Sequence, residues 1–189
     1  MRRFGYQQPV DAARKVRNLT LVGFMGCGKS SVGQLLAQRF RFYLADTDQL
    51  IEQRTGKEIA QLFDELGEPA FRKLESEVVK ELESRSRLII STGGGAVTFP
   101  ENLASLQSHS LVVCLWASAE TILERTRHTS KRPLLRGPDP LGKIKRLLAE
   151  REPHYKRADI IANTDQRTMK EVAQYIYHQF VQYTGSGGN

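Results

Sequence analysis

Short apolar segments alternate with longer amphipathic segments along the chain. The apolar runs at 19–23, 42–45, 88–91, 111–116 and 159–162 are typical of buried strands. Between them, apolar residues recur at helical spacing, as in Ile59, Leu62, Phe63 and Leu66. Strands that alternate with helices predict an α/β fold in three layers, a parallel sheet with helices on both faces. In such a sheet, ligands bind at the carboxyl ends of the strands.

The polar positions predict where the helices begin and end. We expect helices over about 29–40, 58–83, 100–107, 141–155 and 169–183, the second broken in two by Gly67 and Pro69. Ser118 is predicted to cap a further helix, and Thr47 or Asp48 to cap the helix after the second strand.

The two ends of the chain differ in composition from its middle. Residues 1–17 mix charge, Gln and Pro, and we expect an arm of uncertain order; residues 185–189 are glycine-rich and are expected to form a flexible tail. Between these two ends we expect a single domain over 18–184. Within it, residues 127–142 are polar, basic and rich in Pro and Gly, which predicts a mobile surface loop.

Composition excludes several classes of protein. A chain of 189 residues is long enough for one domain with a sizeable core, and it has no run of 18 apolar residues. The amino terminus lacks the apolar region of a secretory signal. Its two cysteines, Cys27 and Cys114, lack metal-ligand spacing and make no disulfide framework. We therefore expect a cytoplasmic protein without a membrane partner.

The net charge of +7 raises the question of nucleic acid. Residues 1–17 are strongly basic, but many other arginines are spread through the carboxyl-terminal half, and no aromatic side chains interleave a basic patch. An anionic small substrate together with ATP would also need arginines. This distribution favours small-molecule ligands over nucleic acid, with the basic arm as the feature that keeps the alternative open.

A glycine-rich segment joins the first predicted strand to the first predicted helix. Residues 23–30 read Gly-Phe-Met-Gly-Cys-Gly-Lys-Ser and fit G-x-x-x-x-G-K-[S/T], the loop that cradles nucleotide phosphates. Lys29 is predicted to reach the β- and γ-phosphates, and Ser30 to ligate Mg²⁺. A plain glycine-rich turn before a helix is the alternative. The nucleotide-binding residues expected here are Gly26, Cys27, Gly28, Lys29, Ser30 and Ser31.

Two carboxylates follow the second predicted strand. A P-loop kinase normally has an Asp near its Mg²⁺, often at the end of another strand, but the run at 88–92 lacks one. Asp46 and Asp48 are the available substitutes, and alternation along a strand would point both the same way. We assign Asp46 to the Mg²⁺ environment and Asp48 to the acceptor hydroxyl, as orienting group or base. Helix capping alone is the alternative.

Further candidates are individually weak. Gly93, Gly94 and Gly95 follow the third strand, where they allow a ligand to approach the backbone closely or simply form a turn. Arg72 is followed three residues later by Glu75, which would fix its guanidinium group unless both belong to a solvated helix face. Arg132 lies in the charged loop, where an arginine would reach the γ-phosphate when the loop excludes water.

These motifs together resemble the shikimate kinases, a family with the nucleoside-monophosphate-kinase-like P-loop fold. The resemblance covers about 18–180 and rests on six motifs in family order: Gly-Phe-Met-Gly-Cys-Gly-Lys-Ser at 23–30, Asp-Thr-Asp at 46–48, Phe-Arg-Lys-Leu-Glu at 71–75, Gly-Gly-Gly at 93–95, Arg-Pro-Leu-Leu at 132–135 and Arg-x-Pro-x-Tyr at 151–155. The set is highly specific, although each later motif is weak alone.

The resemblance implies a fold and a reaction. The expected fold is a five-stranded parallel sheet of order 2-3-1-4-5, with substrate-binding helices at about 48–84 and a lid at about 127–142. The expected reaction transfers the γ-phosphoryl group of ATP to the 3-hydroxyl of shikimate, in the route to chorismate and the aromatic amino acids. Mg²⁺ would be the cofactor, and the family suggests a monomer.

The resemblance also implies roles for single residues. Asp48, Arg72, Arg151 and the glycines at 93–95 would hold shikimate, with the two arginines on its carboxylate. Lys29 and Arg132 would act on the phosphates, and Asp48 on the reacting hydroxyl. The residues expected near adenine are Arg125 and, in the less securely aligned segment 164–167, Arg167.

Other functions are left open by the residues themselves. Another small-molecule kinase of this fold, such as a gluconate or nucleotide kinase, would share the P-loop, but the arginine clamp and Asp-x-Asp favour shikimate. A GTPase switch would need the guanine-reading motif Asn-Lys-x-Asp, which the sequence lacks. Salt-sensitive binding of DNA or RNA would support a nucleic-acid role.

Overall fold

The computed structural model describes residues 5–7, 14–127 and 138–185. Strands and helices alternate along most of this range. In chain order the elements are β1 (Gly5–Gln7), β2 (Asn18–Val22), α1 (Lys29–Phe40), β3 (Tyr43–Asp46), α2 (Thr47–Thr55), α3 (Ile59–Glu81), β4 (Leu88–Ser91), α4 (Pro100–His109), β5 (Ser110–Trp116), α5 (Ala119–Thr126), α6 (Pro140–Tyr155), β6 (Ile160–Asn163) and α7 (Met169–Thr184).

The strands form one sheet in the order β1-β6-β5-β2-β4-β3. Strands β2 to β6 pair in parallel, and β1 pairs antiparallel with β6. Numbered without β1, the parallel strands have the order 2-3-1-4-5, so the predicted topology is confirmed. Because β2 lies at the centre, the loop that follows it opens beside the ends of both β4 and β5.

The main core lies on both faces of this sheet. Strands β2, β4 and β5 are buried almost throughout, as expected for near-continuous apolar strands covered by helices. A second, smaller cluster lies between α2 and α3 and is separate from the main core. We call it the acceptor-side cluster, and its buried members are Ile51, Leu62, Phe71 and Val78.

Local sequence signals explain most helix ends. The Ser118 side chain accepts a hydrogen bond from Thr121 N, as predicted. Gly67 has φ 75° and ψ 168°, which bends α3 where a break was expected. The predicted cap of α2 was wrong, because Asp46 takes that place and accepts from the backbone N–H groups of Asp48 and Gln49. Asp48 therefore belongs to the first turn of α2.

Part of the expected amino-terminal arm is ordered against the sheet. Strand β1 extends the sheet beyond β6, a feature that no apolar pattern in residues 1–17 predicted. The rest of the arm, at 1–4 and 8–13, lies outside the described residues, as do 128–137 of the expected lid and 186–189 of the expected tail. Within 14–127 and 138–185, none of the helices has the length and hydrophobicity that crossing a bilayer requires.

We expect the central strand to dominate stability. Leu21 in β2 is 0% exposed, so Leu21→Ala should lower the free energy of unfolding by about 2–5 kcal/mol through lost burial and a cavity. Leu66→Ala is the matched control: Leu66 is 48% exposed, and the change should cost less than about 0.5 kcal/mol. Urea denaturation measures both, and equal losses would contradict this account of the core.

Candidate active site

The P-loop joins β2 to α1 at the centre of the sheet. Gly23, Gly26 and Gly28 have φ values of 130°, 80° and 102°, a region that side chains rarely adopt. Gly28 is the N-cap of α1 and provides no side-chain cap, so the first N–H groups of the helix remain available to an anion. The Lys29 ammonium group donates to the carbonyl oxygens of Gly23 and Phe24 at 2.8 and 3.1 Å.

The Asp46 and Asp48 carboxylates lie at the end of β3, beside this loop. Asp46 pairs with Ser91 of β4, which in turn pairs with Leu21 of β2, so Asp46 is two strands from the P-loop strand. The two carboxylates are close neighbours, as predicted, but not because both belong to a strand: Asp48 is on α2. The capping interpretation is confirmed for Asp46, which caps α2 through Oδ1; its Oδ2 is not used by the cap, and the magnesium role stays a prediction.

The position of Asp48 makes its carboxyl group unusual. Burial raises its pKa to about 6, and the charges of Asp46 and Glu75 contribute to the rise. The Lys29 ammonium group lowers the pKa in opposition, which shows that the P-loop lysine and this carboxylate share one electrostatic environment. At pH 7 the carboxylate is therefore mainly ionised and is able to accept a proton or a hydrogen bond.

The Arg72–Glu75 ion pair is buried next to Asp48. Arg72 Nη1 donates to Glu75 Oε2 at 2.8 Å, and Arg72 also contacts Glu68. Glu75 is 0% exposed, and its other oxygen, Oε1, has no hydrogen-bond partner in the structure. Burial raises the pKa of Glu75, against the lowering effect of Arg72. The pair fixes the direction of the Arg72 guanidinium group, as expected from the spacing of three residues.

The glycine segment after β4 lies between these groups. A Cβ at Gly93 would be 2.7 Å from Glu75 Oε1 and 2.8 Å from Asp48 Oδ1, so only glycine lets both carboxylates approach. A Cβ at Gly95 would collide with the Arg72 guanidinium group. Gly93 N donates to the Thr47 hydroxyl at 3.0 Å, which ties the segment to α2. Glycine is therefore required at 93 and 95 by the packing of protein side chains, and the approach of a ligand to this backbone stays a prediction.

Arg151 reaches the same segment from α6. Its Nη1 donates to Gly94 O at 3.3 Å, and the Tyr155 hydroxyl donates to the same oxygen at 2.6 Å. The Arg151 guanidinium group lies 5.5 Å from the centre of the Phe24 ring, in the P-loop. Two arginines from different helices thus approach the segment at 93–95.

Arg125 and Arg167 lie around the segment that follows β6. Arg125 donates to the side-chain and backbone oxygens of Thr164 at 2.9 and 2.8 Å. Arg167 donates to the Asn163 carbonyl at 3.2 Å. A cavity of about 280 Å³ adjoins this segment, lined by Asn163, Asp165, Gln166, Arg167 and Glu171. The residues predicted to lie near adenine, Arg125 and Arg167, are therefore on a different segment from the one that Arg72 and Arg151 approach, residues 93–95.

Arg132 lies outside the described residues, so its predicted lid role stays a prediction. Sequence reasoning did not select Tyr155, Phe24 or Glu68 as site residues. Tyr155 belonged to a recognised motif, and that signal would have been enough to include it. Glu68 precedes Arg72 by four residues on α3, a spacing that would have pointed to the pair. Phe24 carried no signal for its contact with Arg151, because that contact depends on how α6 packs on the sheet.

The residues present fit a magnesium ion held mainly by nucleotide. Mg²⁺ prefers oxygen ligands and usually takes one or two from protein beside those of phosphates and water. The exposed Ser30 hydroxyl and the Asp46 carboxylate offer that chemistry. No cluster of three or more His, Cys, Asp or Glu side chains suited to a metal occurs in the described ranges.

Comparison with known proteins adds a family to this geometry. The family model described as "Shikimate kinase" matches residues 25–181. A shikimate kinase of Thermodesulfovibrio yellowstonii is 41% identical over 165 residues, 87% of this chain and 95% of the relative. One of Thermus thermophilus is 42% identical over 180 residues, which cover 95% and 98% of the two chains.

Solved structures agree. A shikimate kinase of Acinetobacter baumannii in complex with shikimate superposes with a TM-score of 0.84 at 37% identity, over 92% of this chain and 98% of that chain. A gluconokinase of Sinorhizobium meliloti has a TM-score of 0.62 at 18% identity, over 91% and 96%, which shows a shared fold alone. The chain belongs to the shikimate kinase family and is an ATP-dependent kinase.

Proposed function

We propose that this chain transfers the γ-phosphoryl group of ATP to the 3-hydroxyl of shikimate by means of the residues that meet at the carboxyl edge of the sheet. The observation that carries the proposal is the placement of two arginines, Arg72 and Arg151, and one carboxylate, Asp48, around the backbone at 93–95. A carboxylate-bearing polyol needs that combination. Two guanidinium groups suit its carboxylate, and Asp48 suits a hydroxyl group.

The phosphate side is formed by the P-loop. The N–H groups at the start of α1 would bind the phosphates, and Lys29 would exchange its bonds to Gly23 and Phe24 for bonds to phosphate oxygens. Arg132, on the expected lid, would add positive charge to the transferring group and exclude water. Phosphoryl transfer depends mainly on such positioning and charge neutralisation.

The proposed role of Asp48 is to bind the acceptor hydroxyl. It lies within the field of Lys29, so a hydroxyl bound to Asp48 would be directed toward the phosphate that Lys29 holds. Gly93 and Gly95 give room to the carboxylates and to Arg72, and Gly94 carries the carbonyl that receives Arg151. As base or orienting group, Asp48 acts on the nucleophile and Arg72 on the far end of the substrate.

Mg²⁺ is the proposed cofactor. Ser30 and Asp46 would hold it, and when bound it would neutralise charge between the β- and γ-phosphates. Asp46 has a second task as the N-cap of α2, so it connects the metal side of the site to the helix that carries Asp48.

Three further predictions from the sequence stand as proposals. They are a monomeric state, the absence of nucleic-acid and membrane partners, and a cytoplasmic location. Both cysteines, Cys27 and Cys114, are free and buried, in agreement with a reducing setting.

The deciding experiment is a coupled assay of ADP release with Mg-ATP. Shikimate should support turnover, whereas gluconate and nucleoside monophosphates should not. Gluconate is an open chain, so its carboxylate and hydroxyl groups are not held at one separation as they are on a ring, and a nucleoside monophosphate has no carboxylate for the two arginines. Turnover with gluconate or a nucleotide but not with shikimate would overturn the proposed acceptor and leave the ATP site standing.

Asp48→Asn should lower kcat by about 10²–10⁴-fold while Mg-ATP still binds, because the amide cannot accept a proton. Asp46→Asn is the paired variant. Asn caps helices as well as Asp does, so α2 should persist, and the Mg²⁺ concentration for half-maximal rate should rise instead. Steady-state kinetics with a Mg²⁺ titration separates the two, and full turnover by Asp48→Asn would sink its assignment.

Arg132→Ala should lower kcat far more than it lowers the affinity for shikimate, since the lost charge acts on the transferring phosphoryl group. Arg146→Ala, which removes an exposed arginine on α6, is the control and should leave both parameters near wild type. Kinetics at varied shikimate gives the comparison. An equal loss in kcat and shikimate affinity would argue against the lid role.

A further inference from the structure

Strand β1 and Arg14, which we call the amino-terminal segment, lie against strand β6 and the residue before it. Both precede residue 25, where the family match begins. Strand β1 pairs antiparallel with β6, with Gly5 opposite Ala162 and Gln7 opposite Ile160. Strand β5 occupies the other side of β6. Strand β6 is therefore held between two neighbours, and one of them comes from the amino-terminal segment.

Arg14 secures the other end of β6. Its Nη1 and Nη2 donate to the Asp159 carboxylate at 2.8 and 3.0 Å, and Nη2 also donates to Ser110 O at 2.6 Å. Asp159, directly before β6, is 4% exposed, and its Oδ2 accepts from Val112 N at 2.8 Å. Arg14 thus compensates a buried carboxylate that fastens the start of β6 to β5, and a buried charge needs such a partner.

Strand β6 leads directly into residues 164–167, the segment expected to face the adenine base. Thr164 is 0% exposed, receives both bonds from Arg125, and donates its N–H to Trp116 O at 2.8 Å. The cavity beside Asn163 and Arg167 opens at the same end. Only four residues separate Asp159 from Thr164, so a displacement of β6 at either edge moves the lining of this cavity.

We propose that the amino-terminal segment is a positioning element for the nucleotide. Strand β1 and Arg14 fix β6 from its outer edge and its start, and so hold residues 163–167 in the arrangement that binds the base of ATP. Arg14 is a positioning residue, since it acts through Asp159 and β6. The inference rests on the proposed use of ATP and on the expectation, from the family resemblance, that the adenine base lies near Arg125 and Arg167.

Two variants test the inference, Arg14→Ala and a deletion of residues 1–7 that keeps Arg14. Each should raise the dissociation constant of Mg-ADP and the KM for ATP about five- to tenfold, a usual size for coupling between sites. The KM for shikimate should stay within about twofold of wild type, because Arg72 and Arg151 belong to other elements. Isothermal calorimetry and steady-state kinetics below the melting temperature give these values.

Two controls separate positioning from stability. Arg17→Ala removes a neighbouring arginine that donates to the Glu83 backbone, away from β6, and should leave nucleotide affinity unchanged. Arg14→Lys keeps the charge but loses the paired hydrogen bonds, so it should restore part of the affinity lost in Arg14→Ala.

A lower melting temperature with unchanged Mg-ADP affinity in both variants would overturn the proposal, and so would an equal rise in the KM of both substrates. If Arg14→Ala does not fold, the deletion decides the outcome. Calorimetry with Mg-ADP needs no turnover, so failure to phosphorylate shikimate would contradict the proposed acceptor and leave this test valid.

Discussion

Burial of the Glu75 carboxylate constrains the acceptor side of the site. A charged group without solvent must be matched by opposite charge, and Arg72 supplies it at 2.8 Å from the same helix. That pairing fixes the guanidinium group against Gly95 and requires glycine at position 93, where Asp48 also approaches. Gly93, Gly95, Arg72 and the Asp48 carboxylate are therefore fixed together, by packing as well as by charge.

The site balances two kinds of charge at short range. Lys29, Arg72 and Arg151 face Asp46, Asp48 and Glu75 across the carboxyl edge of the sheet. Both substrates of the family reaction are anions. The three carboxylates must therefore not neutralise the arginines and the lysine completely, because these cations also have to attract the substrates. Burial is the main cause of the raised pKa of Asp48, and the charges of Asp46 and Glu75 add to it, so a group that donates a hydrogen bond to this carboxylate would stabilise its ionised form.

Sequence patterns predicted the parallel sheet and the P-loop because both depend on local signals, apolar runs and a fixed glycine spacing. They placed Asp48 beside Asp46 for the wrong reason, since strand alternation and a helical first turn bring neighbouring residues together equally well. Strand β1 was not predicted, because three residues without an apolar pattern form a strand only when they can pair with an exposed sheet edge such as β6. The contact of Phe24 with Arg151 arises from the packing of α6 on the sheet, which no short pattern encodes.

The acceptor-side cluster of Ile51, Leu62, Phe71 and Val78 is packed apart from the main core. Gly67 bends α3 between Leu62 and Phe71, so the parts of α3 before and after the bend both contribute to this small interior. Leu50 of α2 packs against both clusters and is the contact through which an exchange here would reach the main core. If Asp48 and Arg72 hold the acceptor as proposed, this pair of helices is the place to alter specificity while the packing beside the P-loop is kept.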